Sequence, residues 1–188
     1  MKRIGILGGT FDPPHIGHLI IAEEVRQQLQ LEEVWFIPTY EPPHKKEASI
    51  GADHRIHMIN NAIKGNAAFR LNTIEIERHG KSYTIDTIKA LQQSHKDTEF
   101  FFIIGADMVE YLANWSKIDE LVEMITFVGV KRPGYQLKTT YPIIEVEVPF
   151  IEVSSTTIRK RFANKQSVKY LIPESVYMYI KEYQLYGN

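Results

Sequence analysis

Five consecutive apolar residues, Phe100-Phe101-Phe102-Ile103-Ile104, leave no polar face. Strand side chains alternate between two faces, so such a run needs cover on both sides, as in a parallel sheet packed between helices. Three more short apolar runs have the same character. They are residues 2–7, which end at Gly8-Gly9, residues 33–38 around Val34-Trp35-Phe36-Ile37, and residues 125–130. Segment 69–76 also reads as a strand, and 143–148 alternates as an outer strand would. Between them, 16–30 places Leu19, Ile21, Ala22, Val25 and Leu29 at helical spacing, and 52–63, 84–93, 118–124, 156–163 and 173–183 read as helices. Strand and helix patterns therefore alternate. This predicts an α/β fold, a parallel sheet flanked by helices with a small helical C-terminal part and right-handed crossovers.

The chain has 188 residues, which sets the expectation of a single domain over 1–188. With 22 Lys and Arg against 23 Asp and Glu, the net charge of −1 gives no support to a general electrostatic nucleic-acid binder. The absence of cysteine excludes disulfides, thiol nucleophiles and Cys-type metal sites. No run of 18 apolar residues is present to span a membrane, and the N-terminal apolar stretch is too short for a signal peptide. The expected setting is cytoplasmic.

Open parallel sheets bind ligands at the carboxyl ends of their strands. The first such end reads Gly8-Gly9-Thr10-Phe11-Asp12-Pro13-Pro14-His15-Ile16-Gly17-His18. Glycines allow close backbone approach, and a helix start favours phosphate through its free N–H groups. His15 and His18 are three apart and project from one helical face. Taken alone, the string also fits a tight strand–helix turn with two surface histidines, or a metal pair. His54 and His57 show the same spacing in an ordinary helical pattern.

The string as a whole resembles the signature of the H-x-G-H nucleotidyltransferase superfamily, whose fold is Rossmann-like. The dinucleotide fingerprint G-x-G-x-x-G is absent after the first strand, which argues against a dehydrogenase. A late motif, Val153-Ser154-Ser155-Thr156-Thr157-Ile158-Arg159, resembles the family's I-S-S-T-x-I-R, with Val153 for the common Ile. On its own it is a Ser/Thr helix cap with an arginine one turn later, a set of groups that can converge on an anion.

The middle of the chain narrows the resemblance to bacterial nicotinate-mononucleotide adenylyltransferases. The segments are Pro42-Pro43-His44-Lys45, Ser82-Tyr83-Thr84-Ile85-Asp86-Thr87, Ile104-Gly105-Ala106-Asp107 followed by Trp115, and Lys131-Arg132-Pro133-Gly134, with Ala106 where Ser is common. The resemblance implies transfer of the adenylyl group of ATP to nicotinate mononucleotide, with Mg²⁺ carried by ATP and no dedicated metal site. His15, His18 and Arg159 would be catalytic. Gly8, Gly9, Thr10, Phe11, Gly105, Asp107, Ser154, Ser155 and Thr156 would join them around ATP. Lys45, Tyr83, Thr84, Asp107, Trp115 and Arg132 would hold the mononucleotide. The partners are these small molecules, with no nucleic acid and no membrane, and a homo-oligomer is left open. The rivals are the same chemistry on nicotinamide mononucleotide or phosphopantetheine, a non-catalytic nucleotide sensor, and a metal-binding protein.

Overall fold

A computed structural model describes residues 1–41, 48–131, 134–149 and 151–187. The elements follow in the order β1 (Lys2–Gly9), α1 (Ile16–Gln28), β2 (Glu33–Pro38), α2 (Ala52–Ile63), β3 (Phe69–Leu71), α3 (Ile74–Arg78), α4 (Thr84–Ser94), β4 (Thr98–Gly105), α5 (Ala106–Tyr111), α6 (Ile118–Met124), β5 (Thr126–Lys131), β6 (Ile143–Glu147), α7 (Ser155–Ala163) and α8 (Glu174–Glu182). Single 3₁₀ turns follow α5 at Leu112–Asn114 and α8 at Leu185–Gly187.

The strands form one sheet in the order β3-β2-β1-β4-β5-β6, and every pair is parallel. The chain builds outward from β1 to β3, then returns to the other side of β1 as β4. This reversal opens a crevice at the carboxyl ends of β1 and β4, the topological switch point of a doubly wound sheet.

The β4 run is covered on both faces, as its composition demanded. Phe100, Phe102 and Ile104 pack with Ile88, Val109 and Leu121 under α4, α5 and α6. Phe101 and Ile103 pack with Ala22, Val25 and Ile59 under α1 and α2. A third cluster joins Met58 of α2 to Ile158 and Phe162 of α7 and to Val176 and Ile180 of α8. It ties the C-terminal helices to the sheet.

Two local expectations are corrected. Segment 69–76 is not one strand: β3 stops at Leu71, and the Asn72 Oδ1 accepts from the Ile74 N–H at 3.0 Å to start α3. An Asn side chain that captures a nearby backbone N–H ends a ladder and begins a turn or helix. Helix α5, directly after β4, was not foreseen. Gly105 there is extended and Ala106 already helical, so strand and helix meet with no intervening loop.

Candidate active site

The loop from β1 to α1 lies at the switch point. His15 precedes α1 with extended backbone. Its N–H donates to His18 Nδ1 at 3.1 Å, and the His18 N–H donates back to the His15 carbonyl at 3.0 Å. The two rings stack with centroids 3.7 Å apart, and Phe11 meets the His18 ring edge-on at 4.9 Å. Because His18 Nδ1 accepts, the proton of the neutral ring sits on Nε2, which is then a fixed donor. His15 is buried, and desolvation lowers its pKa to about 4, so it is neutral at neutral pH. Its Nδ1 has no hydrogen-bond partner among the described residues. Gly17 is required by packing here: a Cβ would lie 3.0 Å from both His15 Nδ1 and Val153 Cγ1. The two halves of the sequence signature touch at this glycine.

The late motif caps α7 and braces the first loop. Ser154 Oγ accepts from the Thr157 N–H at 3.1 Å. Ser155 Oγ donates to the Pro13 carbonyl at 2.8 Å, and Arg159 Nη1 donates to the Asp12 carbonyl at 2.7 Å. Arg159 Nη2 also reaches Thr156 Oγ1 at 3.4 Å. The Ser154 and Ser155 hydroxyls thus make structural bonds. The first-turn N–H groups of α7 have no carbonyl a turn back.

Two cavities open at the crevice and share Ile21, Gly105 and Asp107. One, of about 290 Å³, is lined by Gly8, Gly9, Thr10, His18, Ser82, Tyr83, Thr84 and Trp115, among others. The other, of about 480 Å³, is lined by Gly17, Ile20, Val130, Lys131, Tyr135 and Ile151, among others. Trp115 is both wall and core: its ring stands edge-on to Phe102 and Phe127 at 5.8 Å each, and its Nε1 is buried without a partner among the described residues. Thr84 opens α4, with Tyr83 at the cap position.

The structure therefore gathers Gly8, Gly9, Thr10, His18, Tyr83, Thr84, Gly105, Asp107 and Trp115 around the smaller cavity. Phe11 and His15 are buried and support His18. Ser154, Ser155, Thr156 and Arg159 do not line these cavities; Ser155 and Arg159 bond the loop at Asp12 and Pro13. Lys45 and Arg132 lie outside the described residues. His54 and His57 lie elsewhere, on α2, against Tyr179 of α8. Among the described residues no group of three or more His, Asp or Glu side chains is placed to hold a metal ion, and no helix is long and apolar enough to cross a membrane.

Sequence reasoning missed Thr39, Glu75, Ser82 and Ser116, which also line the smaller cavity. Glu75 is buried, and its Oε1 accepts from Thr87 Oγ1 at 2.8 Å, while Arg78 Nη2 donates to the same hydroxyl at 2.9 Å. Burial, the largest influence, raises the Glu75 pKa. The signal was the Glu75/Arg78 pair, three apart, which faces one way only if the segment is helical.

Stacked histidines at the first strand end and two adjoining cavities at the crevice of a doubly wound sheet form the candidate site, and the chain belongs to the cytidylyltransferase-like family, which matches residues 6–161. It is 52% identical to the nicotinate-nucleotide adenylyltransferase of Bacillus subtilis, with all of both chains covered. It is 56% identical to the probable nicotinate-nucleotide adenylyltransferase of Oceanobacillus iheyensis, covering 100% of this chain and 98% of the relative. In fold it is similar to the Plasmodium falciparum nicotinic acid mononucleotide adenylyltransferase solved in complex with NaAD. The TM-score is 0.84 at 22% identity, covering 100% of this chain and 98% of the other.

Proposed function

We infer that this chain is a nicotinate-nucleotide adenylyltransferase, which converts nicotinate mononucleotide and ATP to nicotinate adenine dinucleotide and diphosphate in NAD biosynthesis. The observation that carries the reading is the two-lobed cavity. Its lobes suit the two halves of a dinucleotide, and they share the wall at Asp107, whose carboxylate can accept from ribose hydroxyls. The full-length relatives at more than half identity bear the same activity in their names.

The nicotinate ring stacks on Trp115, and its carboxylate takes the free N–H groups where Thr84 opens α4. The adenosine occupies the larger lobe beside Gly17 and Gly105. An oxygen of the mononucleotide phosphate attacks the ATP α-phosphorus in line. The bond from that phosphorus to the oxygen bridging to the β-phosphate breaks, and diphosphate leaves with the electron pair. The nucleophile is already an anion, so no general base is needed. Catalysis rests on positioning and charge stabilisation. His18 donates from Nε2 to the α-phosphate, with His15 packed behind it. The amides at the start of α7 and Arg159 stabilise the leaving diphosphate. Mg²⁺ carried with ATP would supply charge neutralisation to the transferring and leaving groups. Asp12 does not fit as its ligand, because its side chain is buried among Ser49 and Tyr186 and lines neither cavity.

Comparing kcat/KM for nicotinate and nicotinamide mononucleotides at saturating ATP tests the assignment. The amide NH₂ would face N–H donors and leave bonds unmade, so the acid should be preferred by roughly 10²–10⁴. Trp115→Ala should weaken both substrates and narrow that preference. Use of the two within about threefold by the wild type would overturn the reading.

A further inference from the structure

One side chain far from the crevice is wired into it. Tyr186 donates its hydroxyl to Asp12 Oδ1 at 2.6 Å, across 174 positions of sequence. Its backbone is left-handed, with φ of 63°, in the short turn that follows α8. The ring stacks on Phe162 of α7, the helix that carries Arg159, at 6.0 Å. Tyr186 is thus anchored by its ring to one half of the signature and by its hydroxyl to the other.

Asp12 is the hub between them. It is buried, and its Oδ2 accepts both the N–H and the hydroxyl of Ser49, each at 2.7 Å. Its carbonyl accepts from Arg159 Nη1, which also lies 3.9 Å from Oδ2. Arg55, buried beneath the same loop, donates to the carbonyls of Thr10 and Thr39 at 2.9 and 2.7 Å. The direction in which Arg159 points is therefore set by the orientation of the Asp12 peptide and carboxylate.

We propose that Tyr186 is a positioning residue for adenylyl transfer, holding Asp12 so that Arg159 is aimed at the leaving phosphates of ATP; this rests on the function inferred above. The hydroxyl is no acid or base. Burial, then the bond to Asp12, drives its pKa far upward, so it stays a donor throughout the working range. Removing it would leave a buried carboxylate oxygen without a partner, and that oxygen would turn toward other donors.

The test is Tyr186→Phe, which keeps the ring on Phe162 and deletes only the donor. KM for ATP should rise, and kcat/KM for ATP should fall about tenfold, while KM for nicotinate mononucleotide stays within about twofold. The decisive measurement is a double-mutant cycle with Arg159→Ala. If Tyr186 acts through Arg159, its replacement costs little more once Arg159 is gone. A general structural role would instead lower both substrates' kcat/KM alike and add fully to Arg159→Ala, and that outcome would overturn the proposal. Ser49→Ala removes another donor from the same carboxylate and should show the same ATP bias; it carries the test if Tyr186→Phe does not fold. Exposed Tyr170→Phe serves as control. A wild-type protein that makes no dinucleotide refutes the inferred function. An active wild type with an unbiased Tyr186→Phe refutes the positioning role alone.

Discussion

The two histidines of the first loop have divided their work. His18 has its Nδ1 occupied by the His15 N–H, which fixes both ring orientation and tautomer. Replacing it with alanine should lower kcat by roughly 10²–10³, the cost of losing one preorganised donor at a reacting centre, with little change in thermal unfolding. Wild-type turnover in the purified variant would remove His18 from the reacting phosphorus. His15 leaves a different trace. Its ring resists protonation down to about pH 4, whereas in the unfolded chain it takes up a proton near the usual 6.5. Above 6.5 it has no effect on the pH dependence of stability. As pH falls from 6.5 to 4 the unfolded state gains the proton first, and stability drops; below 4 the loss is complete. The drop at full extent is about 3 kcal/mol. His15→Gln should lose correspondingly less unfolding free energy between pH 7 and pH 4. Unfolding free energies that fall equally in wild type and His15→Gln between the two pH values would contradict the buried neutral ring.

Helix α7 shows how a capping motif becomes a functional element. The Ser154 cap fixes where the helix starts, and the start fixes Arg159 one turn later, against the Asp12 carbonyl. Arg159→Lys retains charge but loses the planar fork that spans the Asp12 carbonyl and Thr156. Steady-state kinetics should show a KM for ATP raised several-fold, with mononucleotide binding measured alone unchanged; identical ATP kinetics would take Arg159 out of the site. Elements of this kind were legible because their signals are local. The apolar β4 run, the 52–63 helix and the Ser/Thr cap each announce themselves within a few residues. Helix α3 was not legible. Ile74 and Ile76 alternate with Glu75 and Glu77 as in a half-buried strand, and only the Asn72 bond to the Ile74 N–H turns the backbone. With α3 read as part of a strand, the place of Glu75 in the cavity wall went unseen.

At the scale of the molecule, the sheet order explains why residues 8–18, 82–84, 105–107 and 115 meet although the chain separates them. Each lies at or just beyond the carboxyl end of a strand, or at the start of a neighbouring helix, along one edge of a sheet whose centre is β1 and β4. The resemblance carried in the motifs supplied the chemistry, and the α/β pattern supplied the edge. Neither supplied the contacts that depend on the third apolar cluster. The bond from Tyr186 to Asp12 follows from how the C-terminal helices pack on α2, which is a property of surfaces rather than of any motif.

The Asp12 hub draws its donors from positions 49, 159 and 186, and this gives the protein a history as well as a shape. On the ribosome, β1 to β5 can emerge and pair while position 186 is still unmade. The smaller lobe, lined by residues between Leu7 and Ser116, could then exist in a nascent chain whose Asp12 lacks its last donor. Of the three donors, that of position 186 is the last to be made in synthesis. If Tyr186 positions Asp12 as proposed, the last gain in ATP use would arrive after the cavity does, as the refinement of a working site rather than its creation.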